Sequence, residues 1–182
     1  MYKRQAADSN STVPPIHAND ALAAKQAPPT ATAPSAQTEI GGLNWTIPAA
    51  WENVGKSGMR IAEYKIPGAT GAAPGASIRF FSTQGTAQAN IDRWKTQVKD
   101  PTDGPTTKTI ESGPLKAHTI AMTGAYAGMG PSGTPMPPQA NTRFLAAFIE
   151  GGTQPVQVVI FGPDDLVRGM EVSWEEMLAK VK

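Results

Sequence analysis

Residues 141–162 read "NTRFLAAFIEGGTQPVQVVIFG", and the fold turns on this stretch. Two runs, 141–151 and 155–162, flank the turn residues Gly151, Gly152, Thr153 and Gln154, and both are almost continuously apolar. A strand that alternates apolar with polar residues shows one face to water, whereas a strand apolar at nearly every position is buried on both faces. The two runs therefore belong at the centre of a sheet.

Upstream, short blocks with period-two alternation and turn punctuation read as further strands. These are "LNWTIPAAW" (43–51), ended by Pro48, "MRIAEYKI" (59–66), stopped by Pro67, and "ASIRFFST" (76–83), an antiparallel meander. Strands resume with "TKTIES" (107–112) and "KAHTIAMTGAYAG" (116–128), after the turn-rich "DPTDGPT" (100–106).

The period changes in "TAQANIDRWKTQVKD" (86–100), where Ala87, Ile91, Trp94 and Val98 recur at helical spacing and Thr86 is placed to cap. Asp92, Lys95, Thr96 and Lys99 take the opposite, solvated face. A terminal helix opens at Pro163 with Asp164 and Asp165 in its first turn, where the dipole favours acids. Its apolar stripe is Leu166, Met170, Trp174, Met177, Leu178 and Val181, and Gly169 weakens it, with Ser173 and Glu176 able to cap a second start. The sum is an α+β domain, a central antiparallel β-sheet with helices packed on both faces.

Composition shifts near residue 41. Residues 1–40 are dominated by Ala, Pro, Ser and Thr and read as a disordered spacer, while 41–182 form one domain large enough to hold its fold by an ordinary core. The opening "MYKRQ" (1–5) resembles the read-through of a transposon-end adaptor, which would place the natural start upstream. The net charge is +1, and −1 without Lys3 and Arg4; the 16 basic residues form no cluster, so no electrostatic footprint for nucleic acid exists. No cysteine is present, which excludes disulfides and thiol nucleophiles from this stretch.

Motifs that suggest chemistry fail on context. "GMGPSG" (128–133) matches Gly-x-Gly-x-x-Gly, yet Pro135, Pro137 and Pro138 forbid the helix that a dinucleotide site requires. Met129 and Met136 on the same loop, with Met122 and His118 nearby in sequence, supply soft donors that suit Cu(I); core filling by Met122 and a flexible hairpin tip for the other two are the preferred account, and no metal or cofactor is assigned. His118 has no Gly-x-Ser-x-Gly elbow to serve. The pairs Asp164-Asp165 and Glu175-Glu176 sit near helix starts, and Glu63 and Glu150 stand alone in sequence. One constellation rises above this background: Asn90, Arg93, Trp94 and Gln97, whose spacing on the first helix puts two amides and a guanidinium around a Trp. They are the candidate ligand or partner contacts, against the plainer reading of a core Trp with amides fastening backbone.

The Trp-x-x-Pro opening (Trp45, Pro48), Trp51, the Met59-Arg60 pair and the Asn-x-x-Arg-Trp-x-x-Gln helix (Asn90, Arg93, Trp94, Gln97), in this order of elements, resemble a family of small exported bacterial proteins and lipoproteins. That family's domain is similar to the PsbP fold, shared by a photosystem subunit and a Ran-binding protein. The resemblance covers 41–182 and implies an α/β/α sandwich, export, and a signal or lipidation sequence ahead of a low-complexity tether. It brings no catalytic residues, and neither the photosystem nor Ran is carried over as a partner. The expectation is an extracytoplasmic, non-enzymatic domain that binds a protein or envelope component, touches the membrane only through an N-terminal anchor, and uses the loop around Met129 and Met136 for recognition. The competing expectation is a periplasmic carrier of a small molecule or metal.

Overall fold

The computed structural model describes residues 35–70, 72–128 and 134–182. In chain order the strands are β1 (Ser35–Ile40), β2 (Leu43–Pro48), β3 (Glu52–Ser57), β4 (Arg60–Ile66), β5 (Ala76–Ser82), β6 (Val98–Ser112), β7 (Leu115–Tyr126), β8 (Gln139–Glu150) and β9 (Val156–Pro163). The helix α1 (Ala87–Lys95) lies between β5 and β6, and α2 (Asp164–Arg168) and α3 (Glu171–Lys180) follow β9. Seven strands form one sheet in the order β3-β4-β5-β9-β8-β7-β6, and β1 with β2 forms a separate hairpin. Every pairing in the large sheet is antiparallel.

The two apolar runs occupy the middle of that order, and their side chains alternate between two cores. Phe144, Ala146, Phe148, Val159 and Phe161 face Ile91 and Trp94 of α1. Leu145, Ala147, Ile149, Val158 and Ile160 face Trp174, Met177 and Leu178 of α3 together with Trp45 and Ile47 of the hairpin. Helices therefore cover both faces, as the doubly apolar strands require. Trp45 is fully buried, packs edge-on to Phe80 at 4.9 Å and donates its indole N–H to the Ile40 carbonyl at 3.1 Å. Its large apolar area is thus buried without stranding a donor.

Four local expectations are corrected. The folded part begins before residue 41, because Ser35–Ile40 pairs residue for residue with β2; only Ile40 of that strand is buried, so backbone bonding rather than apolar content carries it. The rest of the expected spacer, 1–34, lies outside the described residues. "LNWTIP" does not join the meander but stacks over the sheet, anchored by reciprocal backbone bonds between Asn44 and Lys182 at 2.7 and 3.3 Å. "DPTDGPT" belongs to β6, whose register shifts between Lys99 and Thr106 absorb its turn residues. Being an edge strand, β6 tolerates the prolines that a central strand would not. Finally, α1 stops at Lys95, where the Thr96 hydroxyl donates to the Arg93 carbonyl at 2.7 Å, and Val98 completes the apolar cluster from the start of β6.

The terminal helix breaks at Gly169 and Met170, as its glycine foretells, but Met170 rather than Ser173 occupies the second N-cap, without a side-chain bond. Among the described residues no helix is long and apolar enough to cross a membrane.

The contact between β5 and β9 has no room for one more carbon. A Cβ on Gly162 would lie 2.6 Å from the Ala76 Cβ and 2.8 Å from its Cα, both on a paired strand that cannot swing away. Gly162→Ala should therefore cost about 1–3 kcal/mol, the usual range for overpacking. A urea midpoint unchanged from wild type would show that the strands part more easily than this.

Candidate functional site

On α1 the Thr86 hydroxyl accepts from the Ala89 amide at 3.2 Å, the capping its sequence position calls for. This sets the helix rotation, and with it the fate of the four candidate residues. Trp94 turns into the core and is 1% exposed, packed among apolar neighbours. Asn90 is also buried, at the helix edge, where its amide donates to the Thr86 and Gln84 carbonyls at 2.9 and 3.3 Å. Arg93, one turn on, is exposed, and its Nη2 donates to Asn90 Oδ1 at 2.8 Å and to Gln157 Oε1 at 2.6 Å. Gln97 lies past the helix end, where its carbonyl accepts from the Ala127 amide at 2.8 Å. Asn90 and Arg93 thus come together, while Trp94 and Gln97 part from them.

Around Arg93 the end of β5, the β8–β9 turn and α1 enclose an open cleft of about 510 Å³, lined by Ser82, Thr83, Gln84, Asn90, Arg93 and Gln154 with Ala89. Among the described residues its groups are amides, hydroxyls and one guanidinium, and no carboxylate lines it. The residue that sequence reasoning missed is Gln157, on β9. A lone Gln in an otherwise apolar central strand was the available signal, since a buried amide needs a partner.

The same sheet face holds a buried ionic triad. Glu63 on β4 accepts from Arg60 Nη1 at 2.6 Å and from Arg79 Nε at 2.8 Å, all three residues being 7–8% exposed. Glu63, solitary in sequence, is therefore the most heavily paired buried carboxylate of the described chain. Burial alone would push its carboxyl up, but the hydrogen bonds and charges of Arg79 and Arg60 outweigh that and hold it below its ordinary value. The Arg79 guanidinium also stacks 4.5 Å above the Phe161 ring. Beside them Tyr126 packs against Phe144 and Phe161, and burial pushes its phenol up despite the two nearby arginines.

On the opposite face Arg143 ties three elements together, donating to Asp103 at 2.9 Å and to Glu171 at 2.7 Å. Arg168 adds bonds to Asp103 and Asp164, and both carboxyls are held low: Asp103 chiefly by Arg168, Asp164 against its own burial by Thr123 and Arg168. His118 is half-buried, its Nε2 2.9 Å from Glu150. Met122 is buried in the core beside Phe144. Met136 is half-buried, its amide donating to the Gly128 carbonyl at 2.8 Å, and Met129 lies outside the described residues. Among the described residues no group of three or more His, Asp or Glu side chains is gathered to share a metal ion.

No protein-family model matches the chain, and no curated protein does. Among solved structures it is similar to cyanobacterial PsbP (CyanoP) from Synechocystis, with a TM-score of 0.51 at 8% identity over 82% of this chain and 92% of that one. A Pseudomonas aeruginosa protein of unknown function aligns at a TM-score of 0.44 and 13% identity, over 80% and 94%. The fold is PsbP-like.

The triad makes stability depend on acid in a specific way. Because the folded Glu63 pKa lies below the unfolded one, its contribution is present above about pH 4.3 and lost as pH falls through the folded value. Glu63→Gln removes the carboxylate that both buried guanidinia share and should cost about 3–5 kcal/mol at neutral pH. That deficit relative to wild type should shrink on acidification, read as converging urea midpoints; a constant gap down to about pH 3 would refute the assignment.

Proposed function

We propose that this is a non-enzymatic binding domain of the bacterial envelope, exported and lipid-anchored behind its Ala/Pro/Ser/Thr-rich N-terminal stretch, which recognises a protein or other envelope component through the cleft beside α1. The observation that carries the reading is the clamp on Arg93: two buried amides hold a cation at the surface of a cleft while committing none of its charge. Such pre-positioning lowers the ordering cost of binding, which is a main determinant of affinity.

The paired carboxyls do not suit general acid–base work at neutral pH. A general acid or base at neutral pH works best with a pKa near 7, and carboxylates reach that range by isolation from cations. Glu63, Asp103 and Asp164 are all moved the other way by arginines. The envelope location is supported by the composition of 1–40 and by the family resemblance of 41–182.

Two measurements test this. In the native cell, the domain should be digested by protease added to intact spheroplasts; protection until lysis would place it inside and remove the export half of the reading. With a photo-crosslinking amino acid at exposed Gln154 beside the cleft, a discrete adduct should form that a probe at exposed Val172, on α3, does not give. Identical adduct patterns at the two positions, or none at Gln154, would remove the cleft from the reading.

A further inference from the structure

Five arginines lie in the described chain, and four of them pair with a carboxylate. Arg60 and Arg79 hold Glu63, Arg143 holds Asp103 and Glu171, and Arg168 holds Asp103 and Asp164. Arg93 differs, because both its partners are neutral amide oxygens and both are reached through Nη2. Among the described residues its Nε and Nη1 hydrogens meet no acceptor. The adjacent acid does not compensate it: Asp92 accepts from Gln88 at 3.0 Å and pairs with Lys95 at 3.1 Å on the solvated side of the helix.

Among the described residues the Arg93 guanidinium therefore has hydrogen-bond partners but no anion. Guanidinium cannot shed its proton, so an Arg left without an anion stays charged at any accessible pH. The lining offers further amides at Gln84 and Gln154 and hydroxyls at Ser82 and Thr83, groups that hydrogen-bond an oxyanion without adding charge. A single cation balances a single carboxylate, and among the described residues no second Lys or Arg lines the cleft to meet a phosphate dianion.

Resting on the binding reading above, we infer that Arg93 and its cleft take a carboxylate presented by an acidic segment of a protein partner. Asn90 and Gln157 are then positioning residues: they hold Nη2 and leave the remaining donors for the incoming oxygens. The clamp also explains why two buried polar side chains were placed under an exposed cation, where an acid would have quenched it.

The test uses fluorescein-labelled acetyl-pentaglutamate amide and its pentaglutamine counterpart, titrated into the full chain and followed by anisotropy, with free glutarate as competitor. Pentaglutamate should bind, more weakly as salt is raised, and pentaglutamine should not. Arg93→Gln should weaken binding by about tenfold or more, since a charge-assisted bond is lost. Gln157→Glu should do the same for a different reason, by giving Nη2 an internal carboxylate, and should leave the thermal midpoint at or above that of wild type. Pentaglutamate binding that is unaffected by both substitutions, or absent at about 1 mM peptide, would overturn the inference while leaving the Gln154 cross-linking result to stand or fall alone. If glutarate displaces the peptide at equal concentration, in an Arg93-dependent manner, carboxylate recognition holds and the protein-partner reading is the part that fails.

Discussion

A hairpin apolar on both faces cannot leave either face in water, and most of this architecture follows from that constraint. Phe144, Phe148 and Phe161 look one way from the β8–β9 pair, and Leu145, Val158 and Ile160 the other. At about 25 cal/mol per Å² of apolar surface, exposing either set would cost a large part of the roughly 5–15 kcal/mol by which a domain is stable. The two coverings are unequal. Among the described residues one side is covered by the short helix α1, and the other by α2, α3 and the β1–β2 hairpin, so α1 spans only part of its face.

That shortfall determines where charge can sit. Nine residues of helix do not span seven strands, and beyond α1 the sheet face carries Arg60, Glu63 and Arg79 in place of apolar side chains. Buried as they are, these charges are offset in part by pairing, each carboxylate oxygen having its own guanidinium. The helix edge itself, where the β8–β9 turn and the end of β5 approach, becomes the open cleft at Arg93. Clefts at such seams need no special loop; they arise wherever a covering element is narrower than the layer it covers.

How much of this was legible depends on the range of the interactions. The central hairpin, the period switch at Thr86 and the break at Gly169 were readable because each rests on residues adjacent in sequence. β1 was not, since "SAQTEI" buries one residue and owes its order to backbone pairing with a partner across a turn. β6 was disguised by Pro101, Gly104 and Pro105, which punctuate a turn in isolation but sit at bulges on an edge strand. In the candidate site Asn90 and Arg93 were found because helical spacing makes them neighbours. Gln157 lies 64 residues further on, and only the pairing of β9 with β5 and β8 brings it beneath the helix. The Glu63 triad was missed for the same reason, Arg79 arriving from the next strand.

The contrast between the two arginine sites on one sheet face argues for different roles from the same residue type. In the triad the cations face an acid at short distance and all three side chains are buried, so the cluster is spent on holding β4 to β5. At Arg93 the buried members are neutral and the charged member is exposed, the reverse assignment. If the α1 seam needed only mechanical fastening, a carboxylate at position 157 would fasten Arg93 more strongly than an amide does. An amide there keeps the geometry and forgoes the neutralisation, a choice that stabilises the fold less and leaves the charge for something outside it.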